Sequence, residues 1–180
     1  MEQQIRIILK SLGEDPSREG LLKTPSLVAE SLRFLTSGND MAPGAVVQGG
    51  VFPSPTTGIV AQKNTEFYSL CEHHLLPFFG QIHVAYKPNG KIIGLGDIAK
   101  LIDVFSRRLQ LQEHLTDQIA DAFVDVLQPK GVFVVVSARH FCMMMRGTQK
   151  QGSQVMTQAA RGDFAKNAEE RQEAMRLLGL

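Results

Sequence analysis

The chain has 180 residues, 43% of them hydrophobic and 21% charged, with a formal net charge of +1. That length fits one domain with a real core, and the balanced charge gives no bulk attraction to nucleic acid or to an anionic membrane. No apolar run approaches the roughly 20 residues of a membrane span, and MEQQIRIILKSLGEDP lacks the features of a signal peptide, so a cytoplasmic location is expected.

In chain order, Ile5, Ile8, Leu9 and Leu12 form the i, i+3, i+4, i+7 stripe of a short helix over 3–12, which Gly13 can end. Thr24-Pro25 reads as a helix start with Thr24 as N-cap, followed by the stripe Val28, Leu32, Leu35 and a stop at Ser37-Gly38. Residues 38–58 are rich in Gly and Pro and read as a long irregular connection. Residues 59–71 read as extended. In 81–86, Ile82, Val84 and Tyr86 alternate with Gln81, His83 and Ala85, as on a half-buried strand. Pro88-Asn89-Gly90 makes a turn, and KIIGL is expected to continue as its partner strand. Helices are expected at about 97–108 and 113–127, ended by Pro129-Lys130-Gly131. VFVVVSARHFCMMM then reads as one buried strand carrying His140 and Cys142 at its end. Residues 153–164 read as extended and 166–178 as an amphipathic helix. The fold class is α+β, an antiparallel sheet with a helix pair between two hairpins. Residues 1–50 form an N-terminal helical segment and 51–180 the main domain.

The chemistry concentrates in LCEHHLLPFF, which places Cys71, Glu72, His73 and His74 in four consecutive positions. The two cysteines would pair as a disulfide in a secreted chain. Without a targeting signal, reduced thiols near histidines point to metal ligation. Cys71 and His74 form a C-x-x-H pair, and Cys142 supplies a third donor from a distant strand. Two thiolates and an imidazole suit Zn²⁺, and three protein ligands leave one position open to solvent, which separates a catalytic site from a closed structural one. His73 and His140 lie beside these ligands and are candidates for proton transfer. His83 and His114 fit regular strand and helix patterns and read as core residues. Met143 to Met145 read as packing.

The runs FYSLCEHHLLPFFG, PNGKIIGL, RRLQLQEHLTDQIADAF, HFCMMMRGTQKQGS and RGDF resemble the GTP cyclohydrolase I family over nearly the whole chain. The resemblance implies the tunnelling fold and self-association into a ring oligomer, a decamer. It implies opening of a guanine nucleotide's imidazole ring at C8 with release of formate, GTP giving 7,8-dihydroneopterin triphosphate. It implies Zn²⁺ on Cys71, His74 and Cys142, and catalytic roles for His73 and His140. It sets Gln112 and Glu113 against the guanine; a carboxylate accepts two hydrogen bonds from the N1–H and 2-amino edge, which adenine does not offer. It sets Arg146 and Lys100 against the phosphates.

Other phosphate positions depart from the family pattern. Leu27 and Glu30 stand where an Arg and a Lys are usual, and Gly96 and Asp97 replace Ser-Lys, with Lys100 in place of an Arg. The pocket is thereby about five charge units more negative, facing a triphosphate of about four negative charges. One reading is compensation by Lys100, Arg107, Arg108 or Lys150. The other is a divergent paralogue acting on a guanine-type nucleoside, monophosphate or base. A non-catalytic pterin- or purine-binding regulatory protein is a further alternative, disfavoured by the retained histidines and open ligand set.

Overall fold

In the computed structural model, which describes residues 1–180, the sheet order explains most of the chain's pattern. Helices α1 (Glu2–Ser11) and α2 (Thr24–Leu35) come first, then the short turn α3 (Pro43–Val46) and strand β1 (Val51–Pro53). Strands β2 (Val60–Cys71) and β3 (Pro77–Lys87) form a long antiparallel hairpin, Val60 opposite Tyr86 and Leu70 opposite Pro77. Strand β4 (Lys91–Ile93), helix α4 (Leu95–Ser106), the two-residue β5 (Leu109–Gln110) and helix α5 (Gln112–Leu127) follow. A second hairpin joins β6 (Gly131–His140), through the one-turn helix α6 (Phe141–Met144), to β7 (Val155–Gly162). The turn α7 (Asp163–Lys166) and helix α8 (Ala168–Leu178) complete the chain. The five-stranded sheet has the order β5-β2-β3-β6-β7, antiparallel except where β5 lies parallel to the end of β2.

The helix pair buries its stripes on one face of this sheet. Ile98, Leu101, Ile102 and Phe105 from α4 and Leu115, Ile119 and Phe123 from α5 join Phe67, Ile82, Val84, Val132, Val134 and Val136 in one core. The other face of β6 meets α7 and α8 through Phe133, Val135, Phe164, Ala174 and Leu178. Being covered on both sides is why β6 reads as an unbroken apolar run instead of an alternating one. Each large side chain buried this way contributes about 1.5–3 kcal/mol. Asn167 caps α8, its side chain accepting from the N–H groups of Glu169 and Glu170 at 3.0 and 3.3 Å. No helix is long and apolar enough to cross a membrane.

Five local expectations need correction. KII does not pair with β3; it pairs with β1, Val51 opposite Ile93. Both edges of β3 are already taken by β2 and β6, so no ladder is open to it there. The stretch 38–58 is accordingly more structured than its Gly and Pro content implies. Thr24 is not an N-cap but the first helical residue. Lys23 precedes it in helical geometry, because a 3-10 turn at Glu19–Leu21 leads the chain straight in. The apolar run ending in HFCMMM is not all strand. β6 stops at His140, opposite Phe78 near the start of β3, and beyond it the chain turns as α6 for want of a ladder partner. Finally, His114 is exposed on α5, one position off the Leu115, Ile119, Phe123 stripe, and is not a core residue.

Candidate metal centre and active site

The ligand turn begins where β2 runs out. The Cys71 carbonyl accepts from the N–H groups of His74 (3.4 Å) and Leu75 (2.9 Å), and Leu76 O accepts from Cys71 N–H at 2.8 Å. Leu75 takes a left-handed φ of 54°, which closes the turn before β3. Glu72 N–H donates to Gln110 O at 3.1 Å, so β5 braces the turn from its side. This folding of CEHH into a single turn brings His74 back over Cys71. The turn α6 carries Cys142 to the same place from the end of β6.

The ligand atoms of Cys71, His74 and Cys142 all lie within 4.8 Å of one another, and this cluster has three members. Both cysteines are free thiols. Tetrahedral bonds of about 2.0–2.3 Å put ligand atoms about 3.5–3.8 Å apart, so the cluster closes on an ion with side-chain shifts of about an ångström. Burial pushes the Cys142 thiol up, and the adjoining Cys71 thiol pushes it further. A buried thiol that resists ionising alone is one a divalent cation stabilises as thiolate, and two sulfurs with one imidazole nitrogen fit a metal.

A cavity of about 230 Å³ opens beside the cluster. Cys71, His73, Gln112, Glu113, His140 and Cys142 line it, with Gln110 and Met143. His140 stacks flat on Phe78, ring centroids 4.7 Å apart and 2° from parallel. Burial pushes its pKa below the ordinary imidazole value, partly opposed by the Glu113 carboxylate. His73 meets His74 edge to face at 6.1 Å.

The structure therefore brings together seven of the nine site residues expected from sequence: Cys71, His73, His74, Gln112, Glu113, His140 and Cys142. Arg146 stands exposed past α6, and Lys100 on α4 is held by Asp97 at 2.8 Å; neither lines the cavity. Gln112 is only 2% exposed, and its side chain points into the protein's own hydrogen-bond network. Met143 lines the cavity. Sequence reasoning passed over Phe78, Thr116 and Thr157; only Thr116, one turn after Gln112, had a local signal. A larger hollow of about 680 Å³, near Phe105, Asp121 and Asp125, holds none of the site residues.

His83, expected to be structural, is 5% exposed, and its Nδ1 accepts from Asn64 N–H at 3.3 Å.

Comparison with known proteins identifies the family. The family model for GTP cyclohydrolase I matches residues 1–179. A protein named GTP cyclohydrolase 1 from Campylobacter curvus is 52% identical over 177 residues, covering 98% of this chain and 93% of its own. One of the same name from Leptospira biflexa is 52% identical, covering 99% and 97%. Another from Chlorobaculum tepidum is 50% identical, covering 99% and 80%. With that breadth of identity, the chain belongs to the GTP cyclohydrolase I family.

Proposed function

We propose that this chain is a zinc-dependent cyclohydrolase that opens the imidazole ring of a guanine nucleotide at C8 and releases formate, with GTP as substrate and 7,8-dihydroneopterin triphosphate as product. The observation that carries this is the Cys71–His74–Cys142 cluster set beside His140 and Glu113 in one small cavity. Cys71, His74 and Cys142 would hold a zinc ion, which would supply Lewis acidity that makes water nucleophilic near neutral pH. The Glu113 carboxylate accepts from the N1–H and 2-amino group of guanine and so turns the five-membered ring towards the cluster. His140, held flat against Phe78, takes a proton from the attacking water and passes it to the ring nitrogen beside C8 as the ring opens. His73, at the rim, handles the later proton transfers.

The proposal includes self-association into the family's ring of ten. Ile7, Ile8, Leu12, Leu27 and Phe34 leave large apolar surfaces exposed on and beside α1 and α2, which supports an interface. Residues 1–50 then serve as the N-terminal helical segment and 51–180 as the catalytic domain.

A second reading, in which the substrate lacks the triphosphate, is supported by one contact. Asp97 pairs with Lys100 at 2.8 Å, so the cation kept at that position already has a carboxylate. Zinc-loaded protein incubated with GTP, GMP, guanosine and guanine separates the two. Formate with a pterin spectrum from GTP supports the first reading; formate only from the less phosphorylated compounds supports the second. Formate from none would sink both.

A further inference from the structure

Gln112 opens α5, yet its amide lies beneath the helix, against the second hairpin. The two hydrogens of its NH₂ group are shared among three acceptors, Val136 O at 3.1 Å, Val155 O at 3.0 Å and Thr157 Oγ1 at 3.2 Å. Its Oε1 lies 2.8 Å from Nε2 of His140. Turning the amide over would press Oε1 against two backbone carbonyls, so its orientation is forced by the acceptors around it. A carbonyl oxygen accepts and never donates. Nε2 of His140 therefore carries the hydrogen of the neutral ring, and Nδ1 is its basic nitrogen. The supports are themselves fixed. Thr116 spends its hydroxyl hydrogen on Gln112 O at 2.7 Å, so the 2.6 Å contact between Thr116 and Thr157 takes its hydrogen from Thr157. Phe78 sets the plane of the imidazole, and Gln112 sets its rotation within that plane.

We propose that Gln112 is a positioning residue that holds His140 in the Nε2–H tautomer, so that Nδ1 is the nitrogen that exchanges a proton with the substrate. This rests on the reading of His140 as the proton-transfer group. It departs from the role that resemblance assigns to Gln112, because an amide buried with its donors on Val136, Val155 and Thr157 has none left for a guanine edge. Guanine selection then falls to Glu113 without its neighbour.

The test compares zinc-loaded wild type with Gln112→Met, His140→Ala, the double variant, Thr157→Val and Glu113→Gln. Zinc content and melting temperature are checked for each. Gln112→Met is expected to lower kcat for formate release about 10- to 100-fold, less than the 10²- to 10⁴-fold a positioned acid–base group supplies, because the ring is displaced and not removed. KM for GTP and the preference for GTP over ATP stay as in wild type, whereas Glu113→Gln loses both. The double variant is no slower than His140→Ala alone, because Gln112 acts through that ring. Thr157→Val loosens the amide's anchor and lowers kcat about two- to tenfold, the range of one neutral hydrogen bond, and it decides the matter if Gln112→Met does not fold. A raised KM or lost guanine preference in Gln112→Met, or losses that multiply in the double variant, would overturn the proposal. Full turnover in His140→Ala would instead remove the reading beneath it.

Discussion

His83 and His140 are both enclosed imidazoles, but only one faces a cavity that can receive a ligand. Burial, with Lys63 nearby, holds the His83 pKa below its ordinary value of 6.5. The folded state therefore binds this proton less readily than the unfolded chain. The resulting stability is fully present above pH 6.5 and is lost as pH falls through the lower folded value. Melting temperature is expected to decline on acidification below about pH 6.5 and to decline less in His83→Gln; equal slopes would refute the assignment. At the ligands, Cys142→Ala loses zinc, whereas His140→Ala keeps zinc and loses turnover, read by metal analysis beside a formate assay. Equal zinc loss in both would count against that division of roles. The clustering of Cys71, His74 and Cys142 was legible in the sequence because C-x-x-H is a local spacing and the chain has only one other thiol. The work of Gln112 was not legible, since the groups its side chain meets lie 24 to 45 positions away in the chain. His114 misled because a histidine inside a helical pattern lies one step from either face.

Among the elements, those whose pattern is set by a single packed face were readable. The spacing of Leu115, Ile119 and Phe123 located α5, and the run VFVVV located β6. What went unread depended on which edges were already occupied, as with β4, or on where a partner strand ends, as with α6. Residue type at one position does not encode either. The junction between β7 and α7 shows how tightly two elements can be tied. Gly162 has a φ of +61°, and a methyl group there would overlap Lys130 O, which also accepts from Asp163 N–H at 2.9 Å. Gly162→Ala is expected to cost about 1–3 kcal/mol in denaturant unfolding, since both the backbone angle and the space oppose it. Phe133→Ala, which empties the layer between β6 and the terminal helices, is expected to cost about 3–5 kcal/mol by the same measurement.

For the molecule as a whole, a metal ion on the Cys71, His74 and Cys142 cluster would be a clamp across the sheet. Cys71 ends β2 and Cys142 follows β6, with β3 lying between those two strands. An ion there fastens the outer two around the middle one, so its binding energy is also folding energy. At a hundredfold excess over Kd the gain is about 2.7 kcal/mol, or about 5–10 °C in Tm for a chain of this size. Chelation is expected to lower Tm by that amount in wild type, zinc to restore it, and Cys142→Ala to respond to neither, all visible by scanning calorimetry. The sheet itself stops abruptly at β7, whose far side has no neighbour within the chain. Alternate residues of β7 turn an amide and a carbonyl to that margin. Val155 O is taken by Gln112 and Ala160 O by Arg161, and the remaining groups form an adhesive strip on which a like strand can lie down. Heat resistance should then climb with protein concentration, and a midpoint that stays flat across a hundredfold dilution would mean the strip is sealed by the chain's own side chains.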